Sequence, residues 1–251
     1  MKDAGKSPGS RPAPKPGAHP EHETAKPAAH EIAKRVLHRG IVTGTIPGGT
    51  RLVQSRIAEE LAVSTHAVRD VLRELAAEGF VRFDRRGAAV VHELSRTELE
   101  DLYEIRKLLE PVAAARAAKY ASRTSMLKAV ELLEAMDSET DGTQWADYNC
   151  RFHSVIEEAA GSPMLVSVLR NLRELSALYV THSILSEPDR VRCGNAEHSQ
   201  ILQAIITHDP EAAADAMLRH LDGTLRTLLN VHQIGCPRAR RSTRLAGGGC
   251  G

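Results

Sequence analysis

The segment from Ser55 to Leu75 constrains the fold more than any other part of the 251-residue chain. It contains two successive runs of apolar residues at helical spacing, and Ser64 stands between them where a helix N-cap belongs. The apolar positions are Ile57, Leu61, Val63, Val68, Leu72 and Leu75. The second run turns Thr65, His66, Arg69 and Arg73 away from its packed face, and such a helix suits the major groove of DNA. The pattern predicts a helix-turn-helix.

Two short β-rich runs follow, at residues 81–84 and 88–92. Arg85, Arg86 and Gly87 lie between them, which predicts a hairpin with a basic tip. A hairpin beside a helix-turn-helix forms a wing, and its arginines can reach phosphates or an adjacent minor groove. Gly79 is expected to end the second helix. Upstream, apolar residues between Ile32 and Ile41 predict a first helix.

Four motifs between residues 31 and 94 combine residue type with spacing. They are Gly44-x-x-Pro47-Gly48-x-x-Arg51-Leu52, Ile57-Ala58-Glu59-x-Leu61-x-Val63-Ser64, Val68-Arg69-x-x-Leu72-x-x-Leu75-x-x-Glu78-Gly79 and Arg86-Gly87-Ala88-x-Val90. Together they resemble the DNA-binding domain of the GntR family of bacterial repressors. The chain has Thr65 where the family usually has Arg and Ala67 where Pro is frequent, so the family's operator sequence is not implied.

Pattern and resemblance together give a set of expected DNA-binding residues. These are Arg51, Ser64, Thr65, His66, Arg69, Arg73, Arg85, Arg86 and Gly87. The alternative is a helix-turn-helix that serves packing alone.

Charge is distributed unevenly along the chain. Residues 31–94 hold ten Lys/Arg against eight Asp/Glu, whereas residues 95–235 hold fourteen against twenty-one. Phosphate should repel the second region, so DNA contact is expected in the first. Aromatic residues make up only 3% of the chain, which favours helix-on-helix packing.

The sequence pattern predicts an all-α antiparallel bundle of six helices over residues 95–235. Ser95 and Glu98 form an expected capping box at the head of a helix that runs to about Tyr120. The other expected helices are 124–137, 143–160, 163–185, 190–208 and 210–233, separated at Asp141-Gly142, Gly161-Ser162-Pro163, Glu187-Pro188 and Asp209-Pro210. The expected fold is therefore mainly α: a winged helix-turn-helix at 28–94, followed by this bundle.

Both ends of the chain are expected to be disordered tails. Residues 1–27 contain six prolines, and residues 236–251 contain four arginines and no acidic residue. The sequence has no signal peptide or membrane-length apolar run, so a soluble, cytoplasmic protein is expected. Its four cysteines form no C-x-x-C pair, which argues against a disulfide framework and a thiolate zinc site.

A possible metal site lies in the bundle. Asn149 and His153 are one helical turn apart. His198 and His220 each lie eleven residues from Asp209, so both stand roughly 16 Å from that turn on adjacent helices. Three imidazoles with an oxygen donor suit Zn²⁺, Ni²⁺ or a similar ion, with positions left for water or ligand. The alternative for each histidine is an ordinary surface or packing role.

A second group of motifs supports this reading. Leu102-Tyr103-Glu104-Ile105-Arg106-x-x-Leu109-Glu110, Asn149-x-x-Phe152-His153, Ala159-Ala160-Gly161-Ser162-Pro163, Glu197-His198-x-x-Ile201-x-x-Ala204-Ile205 and Met217-x-x-His220-Leu221 resemble the helical C-terminal domain (FCD) of the FadR-type subgroup. In metal-containing members the matching positions hold an Asp and three His. Asn149 replaces the Asp here and is a weaker, neutral donor.

The resemblance implies a homodimeric regulator, most often a repressor, that binds a palindromic operator and senses a small organic acid or related metabolite. Arg106 is the expected carboxylate-binding residue, and His182 a further candidate for the effector pocket. For Arg106 the alternative is a salt bridge to Glu104, Glu110 or a neighbouring helix.

Two other functions stay open from the sequence. One is a metal-dependent hydrolase or lyase joined to a DNA-binding domain, with Glu157 as an arguable general base. The other is an architectural DNA-binding protein that responds to no small molecule.

Overall fold

The computed structural model describes residues 21–186 and 189–234. The helices of this part are α1 (Glu21–Val42), α2 (Gln54–Glu60), α3 (Thr65–Ala77), α4 (Arg96–Tyr120), α5 (Arg123–Ser138), α6 (Gly142–Ala159), α7 (Pro163–Ser186), α8 (Asp189–Ile206) and α9 (Pro210–Ile234). The strands are β1 (Arg51–Leu52), β2 (Val81–Phe83) and β3 (Ala89–Val91). The mainly α fold expected from the sequence is confirmed.

The predicted helix-turn-helix is formed by α2 and α3. The hydroxyl of Ser64 accepts a hydrogen bond of 3.1 Å from the backbone N–H of Ala67, so Ser64 caps α3 as expected. The apolar face of α3 is fully buried against α1 and the sheet. Gly79 follows the last turn with a φ of 91°, a left-handed conformation that glycine adopts without strain.

The wing is part of a three-stranded antiparallel sheet in the order β1-β3-β2. In the hairpin Val81 pairs with Val91, and Arg51 of β1 pairs with Val90. Strand β1 was not expected, because a two-residue strand is too short to show the alternation that marks strands in a sequence. At the wing tip, Asp84 Oδ1 accepts hydrogen bonds from the backbone N–H groups of Arg86 and Ala88, at 2.8 and 2.9 Å.

Helix α1 overlaps the segment 1–27 that was expected to be a disordered tail, and this corrects the expectation. It begins at Glu21, so residues 21–27 are helical in the structure. Five of the six prolines precede Glu21, and the residues that follow include glutamate, alanine and lysine, which are strong helix formers. The rest of that tail, the basic tail at 236–251 and the Glu187-Pro188 break lie outside the described residues.

The bundle consists of α4 to α9, and all six helices match the expected segments closely. The Ser95–Glu98 capping box is present at the start of α4. Helix α4 packs along α9, and the core between the helices includes Tyr103, Phe152 and Leu221. Among the described residues, no helix is long and apolar enough to span a bilayer.

Helix α7 contacts both domains. Leu175 packs against the cores of the bundle and of the winged helix. The Tyr179 hydroxyl accepts a hydrogen bond of 2.6 Å from the backbone N–H of Leu94, and Glu174 Oε2 lies 3.2 Å from His38 Nε2. Gly44 approaches α7 so closely that a Cβ there would lie 2.6 Å from Leu178 Cδ1. The two domains therefore meet along one face of α7.

Candidate functional site

The first part of the site is an exposed surface of the winged helix, which we call the reading surface. All nine residues expected to bind DNA are exposed: Arg51, Ser64, Thr65, His66, Arg69, Arg73, Arg85, Arg86 and Gly87. They come from strand β1, the start and outer side of α3, and the tip of the wing. The Ser64 hydroxyl is engaged as the cap of α3, so its first role is to fix the start of that helix.

A residue missing from the expected set organises the outer side of α3. Asp70 Oδ2 lies 2.9 Å from His66 Nδ1, and Asp70 Oδ1 lies 3.7 Å from Arg73 Nη1. The spacings of four and three residues place these side chains next to each other on a helix. The spacing of Asp70 from His66 and Arg73 is the sequence pattern from which these contacts could have been predicted.

The second part of the site is a buried histidine cluster formed by His153 on α6, His198 on α8 and His220 on α9. These side chains are 3%, 0% and 5% exposed, and one ring nitrogen from each lies within 4.8 Å of the others. Ring centroids are 5.1 Å apart for His153 and His198, 5.1 Å for His153 and His220, and 4.6 Å for His198 and His220. Folding of α8 against α9 brings the last two to one level, as their spacing from Asp209 predicts.

The surroundings of the cluster fit a bound cation. Glu197 Oε2 lies 2.8 Å from His220 Nδ1, so that nitrogen donates and Nε2 keeps a lone pair. His153 Nδ1 is buried and has no hydrogen-bond partner within the described part of the chain. Burial, followed by the charges of the other two histidines, lowers the pKa of His153 well below 6.5. Neutral imidazoles are the form that binds metal ions.

A cavity of about 50 Å³ adjoins the cluster, large enough for a few water-sized groups. Asn149 and Cys150 of α6 line it beside His153 and His220. Among the other lining residues are Tyr103, Arg106, Arg173, Ser176 and Thr224. Asn149 thus faces the same space as two of the three histidines.

Arg106 forms the salt bridge to Glu110 that the sequence left open as the alternative, and it also lines the cavity. Its guanidinium lines the cavity, and its Nε donates a 2.6 Å hydrogen bond to Glu110 Oε1. Nη1 donates to Ser176 Oγ at 2.9 Å, and the group lies 4.5 Å from the centroid of the Tyr103 ring. Burial works to lower the pKa of Arg106, but the charge and hydrogen bond of Glu110, together with Tyr103 and the charge of Glu157, outweigh it, and the pKa is raised.

A second buried ion pair was missed by sequence reasoning. Arg173 of α7 donates hydrogen bonds to Glu157 and, at 2.7 Å, to Ser154 Oγ, both on α6. Burial, with a smaller contribution from the charge of Glu110, raises the pKa of Glu157 to about 7 against the lowering effect of Arg173. Arg173 and Glu157 belong to different helices, so no periodicity relates them. With Arg106 and Glu110 they form what we call the buried ion quartet.

The structure corrects the expected role of His182. This residue is exposed and is not among those that line the cavity. The lining residues of α7 are Arg173, Ser176, Ala177, Val180, Ser183 and Ile184. Their helical spacing defines a face that excludes position 182, so His182 lies on a different face of α7 from the cavity.

Comparison with known proteins identifies the family. The family described as "Bacterial regulatory proteins, gntR family" matches residues 29–91 of this chain, and the family described as "FCD domain" matches residues 101–223. The Uxu operon transcriptional regulator of Escherichia coli (strain K12) is 31% identical over 209 residues, covering 74% of this chain and 81% of the relative. The chain belongs to the GntR family.

Two further comparisons agree. The gluconate operon transcriptional repressor of Bacillus subtilis (strain 168) is 26% identical over 198 residues, covering 74% of this chain and 79% of the relative. The solved structure of E. coli McbR/YncC has a TM-score of 0.70 and 21% identity, covering 81% of this chain and 98% of that one, and so shares the fold. This GntR-family protein is a transcriptional regulator, and the open alternative of an enzyme is set aside because the relatives are regulators.

Proposed function

We propose that this GntR-family protein is a dimeric repressor whose affinity for a palindromic operator responds to a small carboxylate bound in the bundle beside a divalent metal ion. The observation that carries the proposal is the presence of two distinct polar sites in one chain. One is the exposed reading surface and the other is the buried cavity beside the three histidines.

The reading surface suits one half-site of DNA. The first turns of α3 carry the residues that contact base edges in a helix-turn-helix, and the wing supplies Arg85 and Arg86 for the backbone or minor groove. Two copies related by a two-fold axis would double these contacts on a palindrome. Repression is proposed because relatives are named as repressors of the gluconate and galactonate operons.

Exposed apolar side chains on two helices of the bundle support the proposed dimer. Helices α4 and α7 pack together at Ala113 and Leu169, and both also present apolar side chains to solvent. Leu108 and Met164 are 72% and 78% exposed, and Ile105, Val112 and Val168 are exposed as well. Large exposed apolar side chains on neighbouring helices are typical of an interface between subunits.

The metal would be held by His153, His198 and His220, with Asn149 as an oxygen donor. When bound, the ion would supply a Lewis-acidic centre for a ligand oxygen. Glu197 would orient His220 through its contact with Nδ1, as carboxylates do for metal-binding histidines. Zn²⁺ or Ni²⁺ suits three imidazoles best.

The effector would lie in the adjacent cavity. Arg106 and Arg173 are buried guanidiniums in its wall, and Ser176 and Thr224 add hydroxyl groups. Guanidinium groups bind carboxylates through charge-assisted hydrogen bonds. A small organic acid therefore suits the cavity, and its identity is a matter for ligand screening.

Helix α7 offers a physical route between the two sites. Arg173 and Ser176 face the cavity, while Glu174 and Tyr179 contact the winged helix at His38 and Leu94. A ligand that shifts α7 would change the position of the reading surface. Coupling free energies of this kind are typically about 1–3 kcal/mol.

The proposal is tested by measuring metal, effector and operator binding on the same preparations. Protein purified without a histidine tag is analysed for bound metal, and its thermal unfolding is followed with organic acids, with and without Zn²⁺ or Ni²⁺. Stabilisation by an acid together with altered operator affinity supports the sensor. The absence of any small-molecule effect on DNA binding would instead favour the architectural alternative.

Variants test whether the histidine cluster holds the metal. His198→Ala should lower metal content, whereas the control His182→Ala changes an exposed histidine and should leave it unchanged. Asn149→Asp should tighten metal binding, because a carboxylate adds negative charge to a set of neutral imidazoles. Equal metal content in the wild type and His198→Ala would remove the ion from the proposal and leave the cavity as a metal-free ligand site.

A further inference from the structure

The inference concerns base selectivity at His66 and rests on the proposed DNA-binding function. His66 lies in the first turn of α3, and its side chain is 80% exposed. Recognition helices place residues of this turn against base edges in the major groove. The chemistry of its exposed ring nitrogen therefore affects which base it can accept.

Asp70 controls whether the exposed ring nitrogen of His66 accepts or donates a hydrogen bond. Its Oδ2 lies 2.9 Å from His66 Nδ1, which is hydrogen-bond distance. An ionised carboxylate has no proton to give, so Nδ1 must carry the hydrogen of this contact. Arg73 Nη1 lies 3.7 Å from the other carboxylate oxygen, Oδ1. In a neutral imidazole with the proton on Nδ1, Nε2 is left as an acceptor.

We infer that Asp70 fixes the tautomer of His66, so that His66 Nε2 accepts a hydrogen bond from an exocyclic amino group of a base in the major groove. The amino group is N4 of cytosine or N6 of adenine, because these are the donors on that edge. Guanine O6 and N7 and thymine O4 are acceptors, and an acceptor on the protein pairs with none of them. His66 would thus distinguish which of the two bases in a pair carries the amino group that it contacts.

The first experiment removes the donor from the DNA. Selection from random duplexes with the wild-type protein gives the operator, and repetition with His66→Ala shows which base position depends on His66. At that position cytosine is replaced by 2-pyrimidinone, which lacks the N4 amino group, or adenine by unsubstituted purine, which lacks N6. We expect the wild type to lose about tenfold in affinity, the equivalent of one hydrogen bond, and His66→Ala to be nearly insensitive.

The second experiment removes the control of the tautomer. In Asp70→Asn the amide can accept from Nδ1 or donate to it, so either tautomer of His66 is allowed. We expect the preference for one orientation of that base pair to fall severalfold, so that a pair with its amino group on the opposite strand becomes tolerated. Glu59→Gln is the matched control, because it removes the same charge from an exposed position on α2.

The outcomes separate this inference from the proposed function. Loss of wild-type affinity when the purine of that base pair is replaced by its 7-deaza analogue, with no loss when the amino group is removed, would show a donating imidazole and overturn the inference, while operator reading would stand. Equal sensitivity of the wild type and His66→Ala to the missing amino group would do the same. If the wild type selects no sequence at all, the proposed function fails and the inference fails with it.

Discussion

The reading surface and the cavity use charged side chains in opposite ways. The reading surface is built from short, local segments of the winged helix, and its arginines face solvent. The cavity is assembled from several helices, and its charged side chains are buried against one another. Exposed side chains can be changed with little effect on folding, whereas buried ion pairs tie function to stability. Variants of the reading surface should therefore change operator affinity without changing stability. Variants of the buried charges around the cavity should change ligand binding and stability together.

The largest effect is expected from breaking the buried ion quartet. Glu110→Ala leaves the guanidinium of Arg106 buried without its main partner, so the free energy of unfolding should fall by about 3–5 kcal/mol. Urea denaturation followed by circular dichroism measures the loss. Glu104→Ala is the control, since Glu104 is exposed on the same helix and should cost less than about 0.5 kcal/mol. Equal effects at both positions would contradict the contrast between buried and exposed charges.

Arg69→Ala should weaken specific operator binding by about 1–3 kcal/mol, because it removes a cation from the outer side of α3. The melting temperature should stay the same. Fluorescence anisotropy with a labelled operator and thermal unfolding give the two quantities. Arg96→Ala, on an exposed position of α4, is the matched control and should bind DNA like the wild type. A loss of stability in Arg69→Ala would contradict the expectation that operator affinity and stability change independently at the reading surface.

Acidification should destabilise the metal-free bundle through His153. The folded state lowers the pKa of this imidazole, so unfolding below pH 6.5 is accompanied by proton uptake. Stability from this group is present above pH 6.5 and is lost as the pH falls, at most by about 1.4 kcal/mol per pH unit. Chelator-treated wild type and His153→Asn are compared by denaturation at several pH values. A variant with the same pH slope as the wild type would contradict this assignment.

The smallest effect is expected at the wing. Arg85→Ala or Arg86→Ala should weaken binding to specific and nonspecific DNA alike, because each removes a phosphate contact. The slope of log K against log salt concentration should become shallower by about one unit. A change of base preference in these variants would instead place the wing tip against base edges.

Much of the fold could be predicted because its determinants are local. The Ser64 cap, the Ser95–Glu98 capping box and the apolar periods of the helices are each contained within a few neighbouring residues. The reading surface follows from the same local pattern. Strand β1 could not be predicted, because two residues carry too little periodicity and its pairing with β3 is non-local.

The cavity was only partly predictable. The convergence of His198 and His220 followed from their equal distance to one turn, and Arg106–Glu110 from helical spacing. The contact of Arg173 with Glu157 depends on how α6 packs against α7, which no sequence pattern gives. His182 was misplaced for the same reason, since its helix face could not be assigned before α7 was docked.

The buried ion quartet has a consequence for how the cavity would select its ligand. With both carboxylates ionised, two guanidiniums and two carboxylates sum to zero formal charge. Glu110 and Glu157 therefore cancel much of the charge that Arg106 and Arg173 bring to the cavity wall, and an approaching anion meets little long-range attraction. An acid can replace an oxygen of Glu110 or Glu157 on a guanidinium, or accept from an N–H that these carboxylates do not use, such as Arg173 Nε. Both kinds of contact depend on where the oxygens of the acid lie. Discrimination among acids would then be a matter of shape rather than of total charge.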